Sequence, residues 1–193
     1  MPYTEKHKNS TRERILESSF RLFAMKGFEG VTIDGLMNNC GLTRGAFYAH
    51  FKSKAELYSE ALKFRASSTK LANLKPEGIS NKQWLSLLLN TYLSLEHVKG
   101  DRTLSCPLAF LATDINMQDK ATKAAYADVY YGMNTAIMNY ASSYCDCDEQ
   151  DIFSVTAMMI GAVAIARTLQ SQDSIESLLA ACRREAGLKL GGI

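Results

Sequence analysis

Apolar residues recur along this chain at helical spacing, and no stretch alternates with the period of two that a half-buried strand requires. After a polar start over residues 1–10, Ile15, Leu16, Phe20, Phe23 and Ala24 form one stripe. Ser10 and Glu13 have capping-box spacing, so the first helix is predicted to begin at Ser10 or Thr11. Gly27 is placed to end it in a left-handed conformation. Thr32 precedes a short segment to Cys40 whose apolar side is Ile33, Leu36 and Met37. Gly41 and Leu42 make a tight turn, and Thr43 caps another short helix from Arg44 to about His50. Ser53 with Glu56 opens a fourth helix, with Leu57, Tyr58, Ala61 and Leu62 on its buried side.

Residues 71–83, with Pro76 and Gly78, read as a connection. One helix is then predicted from Trp84 to about Val98, broken by Lys99-Gly100-Asp101. Pro107 suits the first turn of a short helix to about Thr113. A long helix is expected from Gln118 to Tyr144, another from Asp148 to about Leu169, and a last one from Ser174. The pattern predicts an all-α fold. Four helices packed within about 60 residues, with a helix-turn-helix among them, make a small N-terminal head, and residues 71–193 make a larger helical body.

Composition narrows the class. The 193 residues contain 12 Gly and 3 Pro, too few for a fibrous or linker-like chain. The longest apolar run, Ala157 to Ala166, falls short of the roughly 18 residues a membrane span needs. Lys6 and Lys8 have no apolar core behind them, so no signal peptide is expected, and the default compartment is the cytoplasm. The net charge of +2 conceals an asymmetry. Residues 1–65 hold 11 Lys/Arg against 7 Asp/Glu, whereas residues 66–193 hold 11 against 13. A basic head beside a mildly acidic body is compatible with nucleic-acid binding. Five cysteines without a secretion signal argue against a disulfide framework. Cys145 and Cys147 lack further ligands at metal spacing, so no metal or other cofactor is expected. Free thiols are the plain reading, with redox or electrophile sensing as the alternative.

A recognition helix reads base edges with its first residues while its neighbours hold phosphates. Gly45 and Ala46 are small enough to let backbone approach DNA, and Arg44 can reach a guanine edge or a phosphate. Thr43, Tyr48, His50 and Lys54 can contact phosphate.

These residues resemble the TetR/AcrR family of transcriptional regulators. The likeness runs from Ile15-Leu16 through Phe20, Phe23 and Gly27-Phe28 to Val31-Thr32-Ile33. It continues through Cys40-Gly41-Leu42-Thr43-Arg44-Gly45-Ala46-Phe47-Tyr48-Ala49-His50-Phe51 and ends at Ser53-Lys54-Ala55-Glu56-Leu57. Two positions depart from the pattern: Gly35 stands where Ala is usual and Ala55 where Glu is common. The resemblance implies an all-α N-terminal helix-turn-helix head of three helices (1–53), a connecting helix (54–70) and a C-terminal ligand-binding and dimerisation body (71–193). It implies a homodimer on a palindromic double-stranded DNA operator, acting as a repressor that a small-molecule inducer releases. By position, Thr32, Thr43, Tyr48, His50 and Lys54 look like the family's phosphate contacts, and Arg44, Gly45 and Ala46 like its groove-reading positions.

The body is rich in aromatics with polar tips, suited to a mostly apolar ligand. Candidate ligand residues are Trp84, Leu88, Tyr92, Phe110, Tyr126, Tyr130, Met133 and Asn134. Ala157, Gly161, Ala162 and Ile165 with Leu178, Leu179 and Cys182 are the candidate dimer interface, a four-helix contact. Two alternatives remain open: a repressor sensing thiol-reactive electrophiles through Cys106, and a helical interaction protein that binds no DNA. Neither a nucleophile elbow, a phosphate-binding loop nor paired metal histidines occur, so an enzyme is not expected and no catalytic residue is named.

Overall fold

The computed structural model describes residues 5–68, 74–100 and 106–193. Regular structure among the described residues is helical throughout. In chain order the helices are α1 (Glu5–Lys26), α2 (Ile33–Asn39), α3 (Arg44–Tyr48), α4 (Lys54–Ser68) and α5 (Asn81–Tyr92). They continue as α6 (Leu95–Lys99), α7 (Pro107–Ile115), α8 (Lys120–Ala141), α9 (Glu149–Ala166) and α10 (Gln172–Lys189). Two compact units result: Met1–Ser68 with Phe110–Val129, and Thr69–Ala109 with Tyr130–Ile193. These units do not follow the expected boundaries at 53 and 70, because most of α7 and the first half of α8 join the head. Residues 69 and 70 of the expected connecting helix, the start of the expected connection at 71–73, and Asp101 lie outside the described residues.

In the first unit, α1 packs along α4 and touches α2, which in turn packs on α3. Its core is the predicted stripe: Ile15, Leu16, Phe20, Phe23 and Ala24 are buried, together with Leu36, Met37, Phe47, Phe51, Leu57, Tyr58, Ala61 and Leu62. α1 begins at Glu5, so Ser10 and Thr11 lie inside the helix and do not cap it. The early turns carry no apolar stripe, and an amphipathic pattern cannot register them.

Gly27 ends α1 at φ +68, with its N–H donating to the Phe23 carbonyl (2.8 Å). A Cβ there would meet Asp114 Oδ1 at 3.0 Å, so the absent side chain is also what lets that carboxylate approach. Asp114, in the last turn of α7, accepts from the Phe28 N–H (3.1 Å) through Oδ1 and from the Tyr58 hydroxyl through Oδ2. Burial, and then the Asp114 carboxylate, push the Tyr58 phenol well above its ordinary range, which keeps it a proton donor. The Tyr58 ring also packs on Phe23 (4.5 Å between centroids) and Phe28 (5.3 Å).

In the second unit α9 packs along α10, and α10 meets α5 and α6. The helix expected from Trp84 to Val98 starts earlier and breaks. Ser80 and Gln83 form a complete capping box before Trp84. At the break, the Ser94 hydroxyl accepts the His97 N–H (3.1 Å) and starts α6. That side chain offers the backbone an alternative to the helix ladder. α9 opens where expected, Asp148 and Asp151 forming its capping box. α9 ends at Ala166, short of Leu169, and Ser171 rather than Ser174 caps α10. By length and composition alone α9 could cross a membrane. Its Ile152, Val155, Met159, Val163 and Ala166 are buried within the unit, as in a core helix.

His97 donates from Nδ1 to the Tyr92 carbonyl (2.6 Å), so Nε2 is the unprotonated nitrogen, and it faces the Cys106 N–H (3.4 Å). Burial chiefly lowers the His97 pKa; the Tyr92 bond partly offsets this, and Arg167 lowers it again.

Two stability tests follow from these contacts. Tyr58→Phe is expected to cost about 1–3 kcal/mol by leaving Asp114 short of a donor, read as a lower urea midpoint. The depressed His97 pKa means that below about pH 6.5 the unfolded chain binds the proton that the folded chain refuses. Stability is therefore expected to fall as pH drops from 6.5 towards the folded-state pKa, and His97→Gln to flatten that slope in denaturation at pH 5.5 and 7.5.

Candidate nucleic-acid interface

The interface is built on the turn between α2 and α3. Thr32 caps α2, its hydroxyl accepting the Gly35 N–H (3.1 Å). α2 stops because Gly41 takes φ +64, a conformation costly for any residue with a Cβ. The Gly41 N–H then reaches the Asn38 carbonyl (3.0 Å) and the Leu42 N–H the Met37 carbonyl (2.9 Å). Both bonds of a Schellman motif are thus made, and together they set the angle at which α3 leaves. Arg14 adds a bond to the Cys40 carbonyl (2.9 Å), tying the turn to α1.

α3 is anchored from one side. Phe47 is fully buried and its ring meets Phe51 at 5.8 Å. The opposite side is open: Thr43, Arg44, Gly45 and Tyr48 are exposed, and Ala46 is half-buried. Thr43 occupies the N-cap position without a side-chain capping bond, contrary to its expected capping role, so its hydroxyl is uncommitted. Gly45 has ordinary φ, and a Cβ there would meet only Thr43 Oγ1 at 3.8 Å. The fold itself therefore does not require glycine at this position. Arg44 donates to Asp34 (2.8 Å) across the two helices. Tyr48, then Asp34, push its already high pKa further up, so it stays charged.

The remaining candidates differ in how free they are. Lys54 directs Nζ to the carbonyls of Phe28 (2.9 Å) and Val31 (3.1 Å) and sits 4.0 Å over the Phe28 ring. Only part of its donor capacity is left for a phosphate; its first task is to hold the turn before α2. His50 is half-buried, and its Nδ1 meets no partner. Burial, then Lys8 and Arg12, lower its pKa, so it is mostly neutral at pH 7. Glu56 donates its N–H to Ser53 Oγ (3.0 Å), while its carboxylate reaches the Lys52 N–H, one residue before the expected capping-box partner.

Elsewhere the expected sites divide. Trp84, Tyr92 and Asn134 are buried in the second unit, with Leu88, Tyr130 and Met133 half-buried there. Phe110 and Tyr126 belong to the first unit, so the eight expected ligand residues are not one cluster within a single unit. The Tyr130 hydroxyl pairs with Thr156 Oγ1 (3.2 Å), and its ring stacks on Phe153 at 6.3 Å. Of the expected interface residues, Ala162 and Leu179 are 3% and 1% exposed within their own chain, so neither offers surface to a partner. α9 is apolar all round, and its sequence pattern could not separate the face turned to α10 from the outer one. Ala157 and Ile165 are exposed, the latter by 53%, and Gly161, Leu178 and Cys182 are half-buried.

The five cysteines are thiols outside any disulfide. Cys106 is half-buried just before α7. Burial and a hydrogen bond with Cys145 push the Cys147 thiol up to about 11, which leaves little thiolate at neutral pH. Among the described residues no group of three or more His, Cys, Asp or Glu could hold a metal.

Comparison with known proteins agrees with this geometry. The family model for bacterial regulatory proteins, tetR family, matches residues 15–61. The uncharacterised HTH-type transcriptional regulator YerO of Bacillus subtilis is 42% identical over 71 residues, 36% of this chain and 25% of that protein. The chain thus matches only about a quarter of that relative's length. Among solved structures, the reduced form of E. coli NemR aligns with TM-score 0.77 and 17% identity, over 90% of this chain and 95% of that one. FadR of Bacillus subtilis, in complex with stearoyl-CoA, aligns with TM-score 0.64 and 16% identity, over 93% and 98%. An all-helical fold with an N-terminal helix-turn-helix is the class so defined. Residues 15–61 carry the match to the tetR family of bacterial regulatory proteins, and over the rest of the chain the likeness is one of fold.

The freedom at Gly45 makes a test. Gly45→Ala is expected to leave stability unchanged or raise it by up to about 1 kcal/mol through helix propensity. If the backbone approaches DNA there, the same change weakens binding to genomic fragments, measured by fluorescence anisotropy; unchanged binding would place α3 away from the groove.

Proposed function

We propose that this protein is a cytoplasmic, non-enzymatic repressor. It binds a palindromic double-stranded DNA operator as a homodimer and releases it when a small, mostly apolar inducer occupies the second unit. The observation that carries the reading is the open face of α3, with an uncommitted Thr43 hydroxyl, a glycine the fold does not need and a charged Arg44. α3 would enter the major groove, Arg44, Gly45 and Ala46 facing base edges. Thr32, Thr43, Tyr48 and His50 would hold phosphates, with Lys54 assisting from its place at the turn. One head reads one half-site, and a palindrome presents its half-sites about 34–36 Å apart, so the geometry calls for two copies. The exposed and half-buried residues Ala157, Gly161, Ile165, Leu178 and Cys182 offer the surface for that pairing.

Asp114 supplies a route from inducer to DNA. It grips Phe28 and Tyr58, and Lys54 on the same α4 grips Phe28 and Val31, the residues leading into α2. α7 begins in the second unit and ends at Asp114 in the first, so a shift of α7 is transmitted along the chain itself. A ligand acts through this route only if it binds the DNA-incompetent arrangement more tightly. That a FadR of similar fold was solved with stearoyl-CoA supports a ligand inside a body of this kind.

Selection from a random DNA pool tests the reading: enrichment of a two-fold symmetric site is expected, and no enrichment overturns it. On the selected site, affinity should fall steeply with added salt. Arg44→Ala is expected to cost about 1–3 kcal/mol and to relax the preference at one position per half-site. Ile165→Glu should give monomers in sedimentation with little change in stability, and weaker operator binding; a dimer that persists would move the interface elsewhere.

A further inference from the structure

The interior of the second unit contains a polar group that the fold does not use. Asn134 on α8 is 6% exposed, yet neither its Nδ2 nor its Oδ1 has a hydrogen-bond partner among the described residues. One turn earlier Tyr130 is satisfied, its hydroxyl paired with Thr156. Further along the same helix Ile137 and Ala141 are fully buried. Trp84, from α5 of the same unit, is likewise buried with an unpartnered Nε1. An amide in such a place burdens the folded state with an unmet donor and an unmet acceptor, whereas leucine, of similar size, would carry neither.

We propose that Asn134 is the polar anchor of a bound ligand. That ligand is a small molecule with an apolar tail and an uncharged head that both donates and accepts a hydrogen bond, as a carboxamide does. The inference rests on the reading of the second unit as a sensor and names the chemistry it senses. The donor–acceptor requirement comes from Asn134 itself, which has one group of each kind to satisfy. The uncharged head follows from the surroundings. The buried polar side chains of this unit are Asn134 and Thr156, and neither carries a charge; Arg167 and Arg183 are only half-buried, and Arg183 is bonded to the Leu93 carbonyl. An ionised head beside Asn134 would have no fully buried counter-ion. The apolar tail follows from the neighbouring core of the unit, where Leu85, Leu89, Val155 and Met159 are buried.

Trp84 is the only tryptophan in the chain, so its emission reports on this unit. The probes are hexanamide, N,N-dimethylhexanamide (no donor) and hexanoate (charged), titrated against the full-length protein. Hexanamide is expected to change Trp84 emission saturably, and the other two to bind at least ten-fold more weakly. Asn134→Leu and Asn134→Ala should each weaken hexanamide binding at least ten-fold, the leucine variant melting no lower than the parent. The head-group comparison on the unaltered protein stands even if both variants fail to fold. No saturable change with hexanamide, equal binding by folded variants, or hexanoate binding as tightly as the amide would each overturn the proposal. Operator binding, measured without any amide, separates the two readings. Amide binding by a protein that selects no DNA supports the Asn134 anchor and sinks the repressor. DNA binding with no response to hexanamide overturns the anchor alone.

Discussion

One carboxylate fixes the head of this protein. Asp114 accepts from the Phe28 amide and the Tyr58 hydroxyl, and Gly27 leaves room for it to do so. Without Asp114 the turn after α1 would lose its link to α7 and keep its local backbone bonds, the carbonyl and ring contacts of Lys54, and the stacking of Phe23, Phe28 and Tyr58. That turn decides where Thr32 starts α2. The closure of Gly41 and Leu42 onto the end of α2 then decides where α3 points. A short helix of this kind has little stability of its own. Its direction is inherited from contacts made at its ends and at Phe47.

The same dependence is what the proposed control by a ligand would act on. A hydrogen bond to a carboxylate is worth roughly 1.5–3 kcal/mol, comparable to the 1–3 kcal/mol of a typical coupling between sites. A ligand therefore need not rebuild the head to alter DNA binding. Displacing Asp114 relative to Tyr58 or Phe28 would redistribute an energy of the right size. The stiffer part of the path is the fully buried core of Phe23, Phe47, Phe51 and Leu57, where close packing resists displacement. The adjustable part is polar and sits at its edge.

What could be read from the sequence was what is decided locally. The turn between α2 and α3, the Thr32 and Asp148 caps and the stripe of α1 each involve residues a few positions apart, and their physics is visible in their spacing. Long-range contacts were not legible. Nothing around Asp114 signals a partner at Phe28 or Tyr58, and nothing around Lys54 says that its ammonium turns back to two carbonyls. The break before Leu95 was missed because Ser94 is as acceptable on a helix surface as at a cap. Along α9 the pattern does not separate buried from exposed positions: Ala162 and Ile165 look alike in sequence, yet the first is buried and the second exposed. For the site, the residues proposed to face DNA lie in a short run of chain whose exposure follows from local spacing. The inner residues of the body could be listed only as a composition, since which of them remain unsatisfied depends on every helix around them.

Asn134 and Gly45 illustrate one principle from opposite sides. At Gly45 the fold tolerates a larger residue and the sequence has a smaller one. At Asn134 the fold favours an apolar residue and the sequence has a polar one. In both places the local choice opposes stability, by up to about 1 kcal/mol for a helical glycine and about 1–3 kcal/mol for an unmet buried polar group. Conflicts of this kind persist where a second partner rewards them; by contrast Gly27 and Gly41 are required by their backbone angles, and Thr156 is satisfied. Gly45 and Asn134 are thus positions at which a partner outside the fold would count. One lies on the face that would meet DNA and the other inside the unit that would meet a ligand, which is the division of labour a ligand-controlled regulator needs.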